Sequence, residues 1–160
     1  MRTAVPVAVL ALATCVGVGR SAQTDEVADL PFEILRTGGI GGTTTSLSRL
    51  ALARDETGFR DVWTQLKVQP SLVDRGTMPT VDFDRSLVVA FFGSQGDNCD
   101  PYRLTRVIAR PDRITLQIIH QLPWNCTCAS VVFEPYIVVR IARTEKPIDF
   151  EIAPEIHECR

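Results

Sequence analysis

The chain has 160 residues, 45% of them hydrophobic, and a formal net charge of −2. That is enough chain to bury one real core, and a single domain is expected. Lys and Arg total 17 against 19 Asp and Glu, which excludes the basic footprint of a nucleic-acid binder. No run approaches the roughly 20 apolar residues that a membrane-spanning helix needs, so a multi-pass membrane protein is excluded too.

Arg2 and the apolar run Ala4 to Ala13 have the charged start and short apolar core of an export signal. Two cleavage readings stay open. One treats residues 1–22 as a signal peptide, with the cut after Gly19 or Ala22. Cutting after Ala22 sets Arg20 third from the cut, which suits a signal peptidase poorly. The other takes Leu12-Ala13-Thr14-Cys15 as similar to a bacterial lipobox, removing residues 1–14 and placing a lipid on Cys15. Thr14 stands where Gly, Ala or Ser is usual. Either way the expected location is the bacterial periplasm, outer envelope or extracellular space, with the membrane reached only through a lipid at Cys15.

Residues 23–30 read as a linker and residues 31–160 as one β-rich domain. Pro31 to Leu35 is a strand, and Thr37 to Thr45 a glycine-rich hairpin loop. A phosphate loop would need a helix entered directly from the glycines, whereas Ser46 to Ala53 reads as a second strand. Asp55 can cap a helix in which Phe59, Val62, Trp63 and Leu66 form one apolar stripe. Trp63 on that stripe reads as core, not as a ligand-stacking residue.

Val81-Asp82-Phe83-Asp84 leads into Leu87 to Phe92, an unbroken apolar run that reads as a central strand buried on both faces. Leu104 to Ala109 and Ile114 to Gln121 flank Arg110-Pro111-Asp112-Arg113, a turn, and so form a hairpin. Gly93 to Pro101 and Pro123 to Ser130 are two cysteine loops. Val131 to Phe133 and Tyr136 to Ile141 flank Glu134-Pro135, and Ile148, Phe150 and Ile152 alternate in a last strand. The fold expected is α+β: a mainly antiparallel sheet or sandwich of about seven short strands, one amphipathic helix packed on it, stapled by disulfides.

With Cys15 in the signal, the five cysteines reduce to Cys99, Cys126, Cys128 and Cys159. In an oxidising compartment these imply two disulfides. Pairing Cys126 with Cys128 closes a strained ring, so Cys99 is expected on one of that pair and Cys159 on the other. The alternative is a metal site, in which Cys126, Cys128, His157 and Cys159 supply a Cys₃His set for zinc or copper(I). No cofactor is expected otherwise.

His120 lies near a strand end; a triad would need it beside a nucleophile and an orienting carboxylate, no serine sits in an elbow pattern, and it reads as structural. Asn125-Cys126-Thr127 formally satisfies the glycosylation sequon, which matters only in a eukaryotic secretory pathway. Tyr102 and Trp124, beside the cysteine loops, are the aromatic residues expected to contact a partner.

Val81 to Arg143 resembles the C-terminal domain of the PrcB-like family, a bacterial envelope group named for a protease complex subunit. The matching elements are Val81-Asp82-Phe83 before the apolar strand, Gly93 ending it, Tyr102 opening the next strand, and Pro135-Tyr136 introducing Ile137-Val138-Val139-Arg140-Ile141. The amphipathic helix upstream sits where such proteins have one. Cys99-Asp100-Pro101 departs from the glycine pair common before the tyrosine. The family carries no catalytic residues to transfer. The resemblance implies a protein-binding or protease-stabilising role, with an exported protease as a partner. The function expected is therefore a non-enzymatic exported module that binds protein. The alternative is a small-ligand or metal-binding envelope protein using the cysteine loops.

Overall fold

Leu87-Val88-Val89-Ala90-Phe91-Phe92 has no polar side chain to offer water, so both of its faces need cover. A computed structural model, which describes residues 27–41, 47–66, 77–96, 101–128 and 132–158, shows how each face is covered. The elements are β1 (Ala28–Asp29), β2 (Phe32–Gly41), β3 (Arg49–Ala53), α1 (Glu56–Gln65), β4 (Ser86–Phe92), β5 (Tyr102–Ala109), β6 (Ile114–Trp124), β7 (Phe133–Ala142) and β8 (Ile148–Glu158). They form two four-stranded sheets, ordered β2-β7-β4-β3 and β1-β5-β6-β8.

One face of the first sheet carries the helix. Val88, Ala90 and Phe92 of β4 and Tyr136 and Val138 of β7 pack against Phe59, Val62, Trp63 and Leu66. The opposite face presents Leu87, Val89, Phe91, Ile137, Val139 and Ile141 to Leu104, Val107, Ile114, Leu116 and Ile118 of the second sheet. The result is three layers, helix on sheet on sheet, with β4 and β7 in the middle and buried on both sides. Asp55 starts α1 by accepting the Gly58 N–H at 2.7 Å, as its capping position requires. Phe59 and Trp63 meet edge to face at 5.5 Å on the stripe that faces the sheet.

The Arg110 to Arg113 turn forms as its residues dictate, closed by the Arg110 N–H donating to the Arg113 carbonyl at 2.8 Å. Three other expectations are corrected. The first is the glycine loop. β2 continues through Gly38 and Gly39 to Gly41, paired with Tyr136, Pro135 and Phe133 of β7. A Cβ on Gly38 would sit 2.6 Å from Tyr136 Oη, and one on Gly39 only 2.2 Å from Phe133 Cδ2. These glycines are strand residues that leave room for aromatic rings lying over the backbone. Residues 42–46 lie outside the described residues.

The second correction is at Glu134-Pro135, which separates no strands: β7 runs straight through it. Pro135 accepts the Gly93 N–H at 2.7 Å, so its carbonyl faces the β4 side. Its nitrogen faces the same way, just past the point where β4 ends at Phe92, and the missing N–H breaks no rung of the β4–β7 ladder. The third concerns one strand pair alone, since the other pairings are antiparallel as expected. β8 runs parallel to β6, from Ile114 opposite Ile148 to Trp124 opposite Glu158. Alternation of apolar and polar residues is the same for either direction, so the pattern carried no information on it.

The described strands number eight, not about seven, because Ala28–Asp29 of the expected linker pairs with Ile108 and Ala109 of β5. The expected signal peptide and Cys15 lie outside the described residues.

Candidate functional site

β6 and β8 pair with each other as far as Trp124 and Glu158, beyond His120, where the pairing of β6 with β5 ends. At their near end, Ile114, Leu116 and Ile118 are buried, with Ile148 and Phe150 packed against the same core. At their far end, every residue of β8 from Glu151 to Glu158 is exposed. Side chains two apart share a face, so Leu122 and Trp124 continue the face of Ile114, Leu116 and Ile118. Ile152 and Ile156 stand on the same side of β8. Leu122 is 37%, Ile152 38%, Trp124 66% and Ile156 74% exposed. Core chemistry thus carries on beyond the core, leaving a strip of large apolar side chains in water. Among the described residues, no strand pairs with the free side of β8.

The polar face of this ribbon is different. Arg103 pairs with Glu155 at 3.4 Å, Arg110 with Glu151 at 3.0 Å and Arg113 with Asp149 at 3.3 Å. The three pairs stitch β5 and the hairpin turn to β8 across β6. Arg113 also holds Asp112, and that hydrogen bond keeps the Asp112 carboxyl below the ordinary aspartate range. Asn125, with φ 57°, then turns the chain out of β6 into the second cysteine loop, a left-handed conformation that asparagine tolerates.

Trp124, expected to meet a partner, is therefore at the exposed end of the ribbon. Tyr102, expected to do the same, is engaged within the fold. Its ring stacks on His120 at 4.3 Å and lies 5.4 Å from Phe91. Its hydroxyl is 2.8 Å from Ser94 Oγ. A Cβ at Gly93 would come within 2.6 Å of the Tyr102 ring, so this glycine is where the tyrosine lies down. Tyr102 still lines one wall of a cleft of about 350 Å³ between the sheets, with Gly38, Gly39, Phe133 and Pro135. His120 sits in this stack, half-buried, and shares its face of β6 with Trp124.

Cys126 and Cys128 are in the disulfide-bonded state. No disulfide is found between two described residues, and Cys99 and Cys159 lie outside the described residues. Cys126 Sγ lies 3.8 Å from the His157 carbonyl oxygen, a contact with backbone and not imidazole. Among the described residues, no group of three or more His, Cys, Asp and Glu could hold a metal ion.

A second polar feature escaped sequence reading. Glu134 is 1% exposed, on the helix side of β7. Arg49 of β3 reaches it with Nη2 3.3 Å from Oε1 and 3.4 Å from Oε2. The same guanidinium lies 3.8 Å over the Phe92 ring. Nearby, Arg36 Nε donates to Tyr136 Oη at 3.1 Å and its guanidinium stands over Trp63. The available signal was a lone glutamate inside the apolar stretch Val131 to Ile141.

No family model matches the chain, and no match is found among curated proteins or solved structures.

Proposed function

We propose that this chain is an exported, non-enzymatic module that binds another protein through the far end of the β6–β8 ribbon. One observation carries the reading: Leu122, Trp124, Ile152 and Ile156 form a contiguous exposed apolar strip beside an open sheet edge. Exposed aromatic and aliphatic side chains grouped in this way, with a charged rim, are typical of interaction surfaces. The PrcB-like resemblance of Val81 to Arg143 supports an exported protease as the class of partner.

Trp124→Glu combined with Ile156→Glu is expected to abolish capture of the partner from envelope extract while leaving the far-UV spectrum and melting temperature of the module unchanged. Both side chains are mostly in water, so the fold has little to lose. Equal capture by wild type and variant would rule this surface out.

The staples belong to the same reading. Trp124 pairs with Glu158, and Cys126 lies beside the His157 backbone, which supports Cys126 bonding Cys159 and leaves Cys99 for Cys128. Such a bond would clasp the ends of β6 and β8 just where they project. Partial reduction with differential alkylation, followed by peptide mapping, is expected to recover these two pairs; a Cys99–Cys126 peptide would contradict the assignment.

A further inference from the structure

Among the described residues β8 is an edge strand, eleven residues long, and edge strands invite another strand. Its two faces differ in what they ask of a newcomer. Towards the apolar strip it shows Phe150, Ile152, Pro154, Ile156 and, at its end, Glu158; towards the ion pairs it shows Asp149, Glu151, Ala153, Glu155 and His157. The strand as a whole carries four acidic residues and no lysine or arginine. Two copies of β8 laid side by side in parallel register would set each carboxylate against its counterpart, which destabilises directly opposed positions. Pro154 removes one N–H from the edge as well, a further brake on indiscriminate pairing.

The acids still have capacity. Arg103 engages Oε2 of Glu155 and Arg110 engages Oε1 of Glu151, each through a single oxygen. A second carboxylate oxygen remains on each to accept from a cation arriving on the open side. A strand that alternates basic and apolar side chains satisfies both faces at once: its basic residues meet Glu151 and Glu155, and its apolar residues extend the strip of Ile152 and Ile156.

Resting on the protein-binding reading above, we propose that the free edge of β8 receives an extended segment of the partner with alternating basic and apolar residues, added as a fifth strand of the β1-β5-β6-β8 sheet. Main-chain hydrogen bonds to β8 supply affinity, and the remaining carboxylate oxygens of Glu151 and Glu155 favour a basic segment over an acidic one.

The test uses the intact mature protein and two short peptides, one alternating arginine with valine, the other glutamate with valine. The arginine peptide is expected to bind, to slow amide exchange along β8, and to weaken with added salt; the glutamate peptide is expected not to bind. Glu151→Gln with Glu155→Gln is expected to weaken the arginine peptide roughly tenfold. Equal binding of both peptides, or protection at β2 or β3 instead of β8, would overturn the proposal. A partner that crosslinks at the apolar strip, with no binding of the arginine peptide, overturns strand addition alone. A peptide that binds β8 as described, with no partner contacting the strip, overturns the functional reading alone.

Discussion

Phe91→Ala is expected to lower the free energy of unfolding by about 4 kcal/mol, the scale for deleting a buried aromatic side chain that leaves a cavity. Phe91 is fully buried between the two sheets. Its ring lies 5.4 Å from Tyr102 of β5 and 5.3 Å, edge to face, from Phe150 of β8, so one side chain joins β4 to both. The cavity would open where sheet meets sheet, and the central position of β4 leaves little freedom for it to collapse. Urea unfolding measures the loss. Leu52→Ala, on edge strand β3 with 42% of the leucine exposed, serves as the comparison and should cost far less. If the two substitutions cost the same, Phe91 does not sit between packed sheets.

Arg49→Met carries the second large effect. Glu134 is buried, and Arg49 alone among the described residues is ion-paired to it. Removing the guanidinium leaves a carboxylate in an apolar setting with no countercharge. Breaking a buried pair by deleting one partner destabilises by about 3 kcal/mol or more. The lost stacking on Phe92 adds to this. Glu134→Gln in the Arg49→Met background removes the stranded charge, so the double variant is expected to recover part of the loss. Urea unfolding of both variants gives the comparison. A single variant within about 0.5 kcal/mol of wild type, the range of ordinary surface changes, would show that the pair carries no weight in the fold.

Most of the framework was legible because burial wrote it into the sequence directly. Leu87 to Phe92 had to be covered on both faces, and the stripe on α1 supplied one of the covers. Pro111-Asp112 specified the hairpin turn through local backbone chemistry, without help from the rest of the chain. What escaped was set by tertiary contacts. Gly38 and Gly39 carry loop signals by composition, yet Phe133 and Tyr136, nearly a hundred residues later, hold them in a strand. Pro135 reads as a breaker until one sees that β4 ends beside it. Glu134 acquires its meaning only from Arg49, which another strand brings to it.

The exposed apolar strip was half legible. Trp124 stood out as an aromatic residue in a polar loop, and the structure leaves it in water. Its companions did not, because Ile152 and Ile156 belong to a regular alternation that elsewhere means core. Only the extension of β6 and β8 past the end of β5 turns the same pattern into surface.

Site-directed photocrosslinking tests that surface most directly. A photoreactive phenylalanine analogue placed at Ile156, in the mature protein within envelope extract, is expected to crosslink to a protein partner. The same group at Arg60, exposed on α1 in the helical layer, is expected to give no such adduct. A crosslink from position 60 but not from position 156 would contradict the assignment of the β6–β8 ribbon as the binding surface.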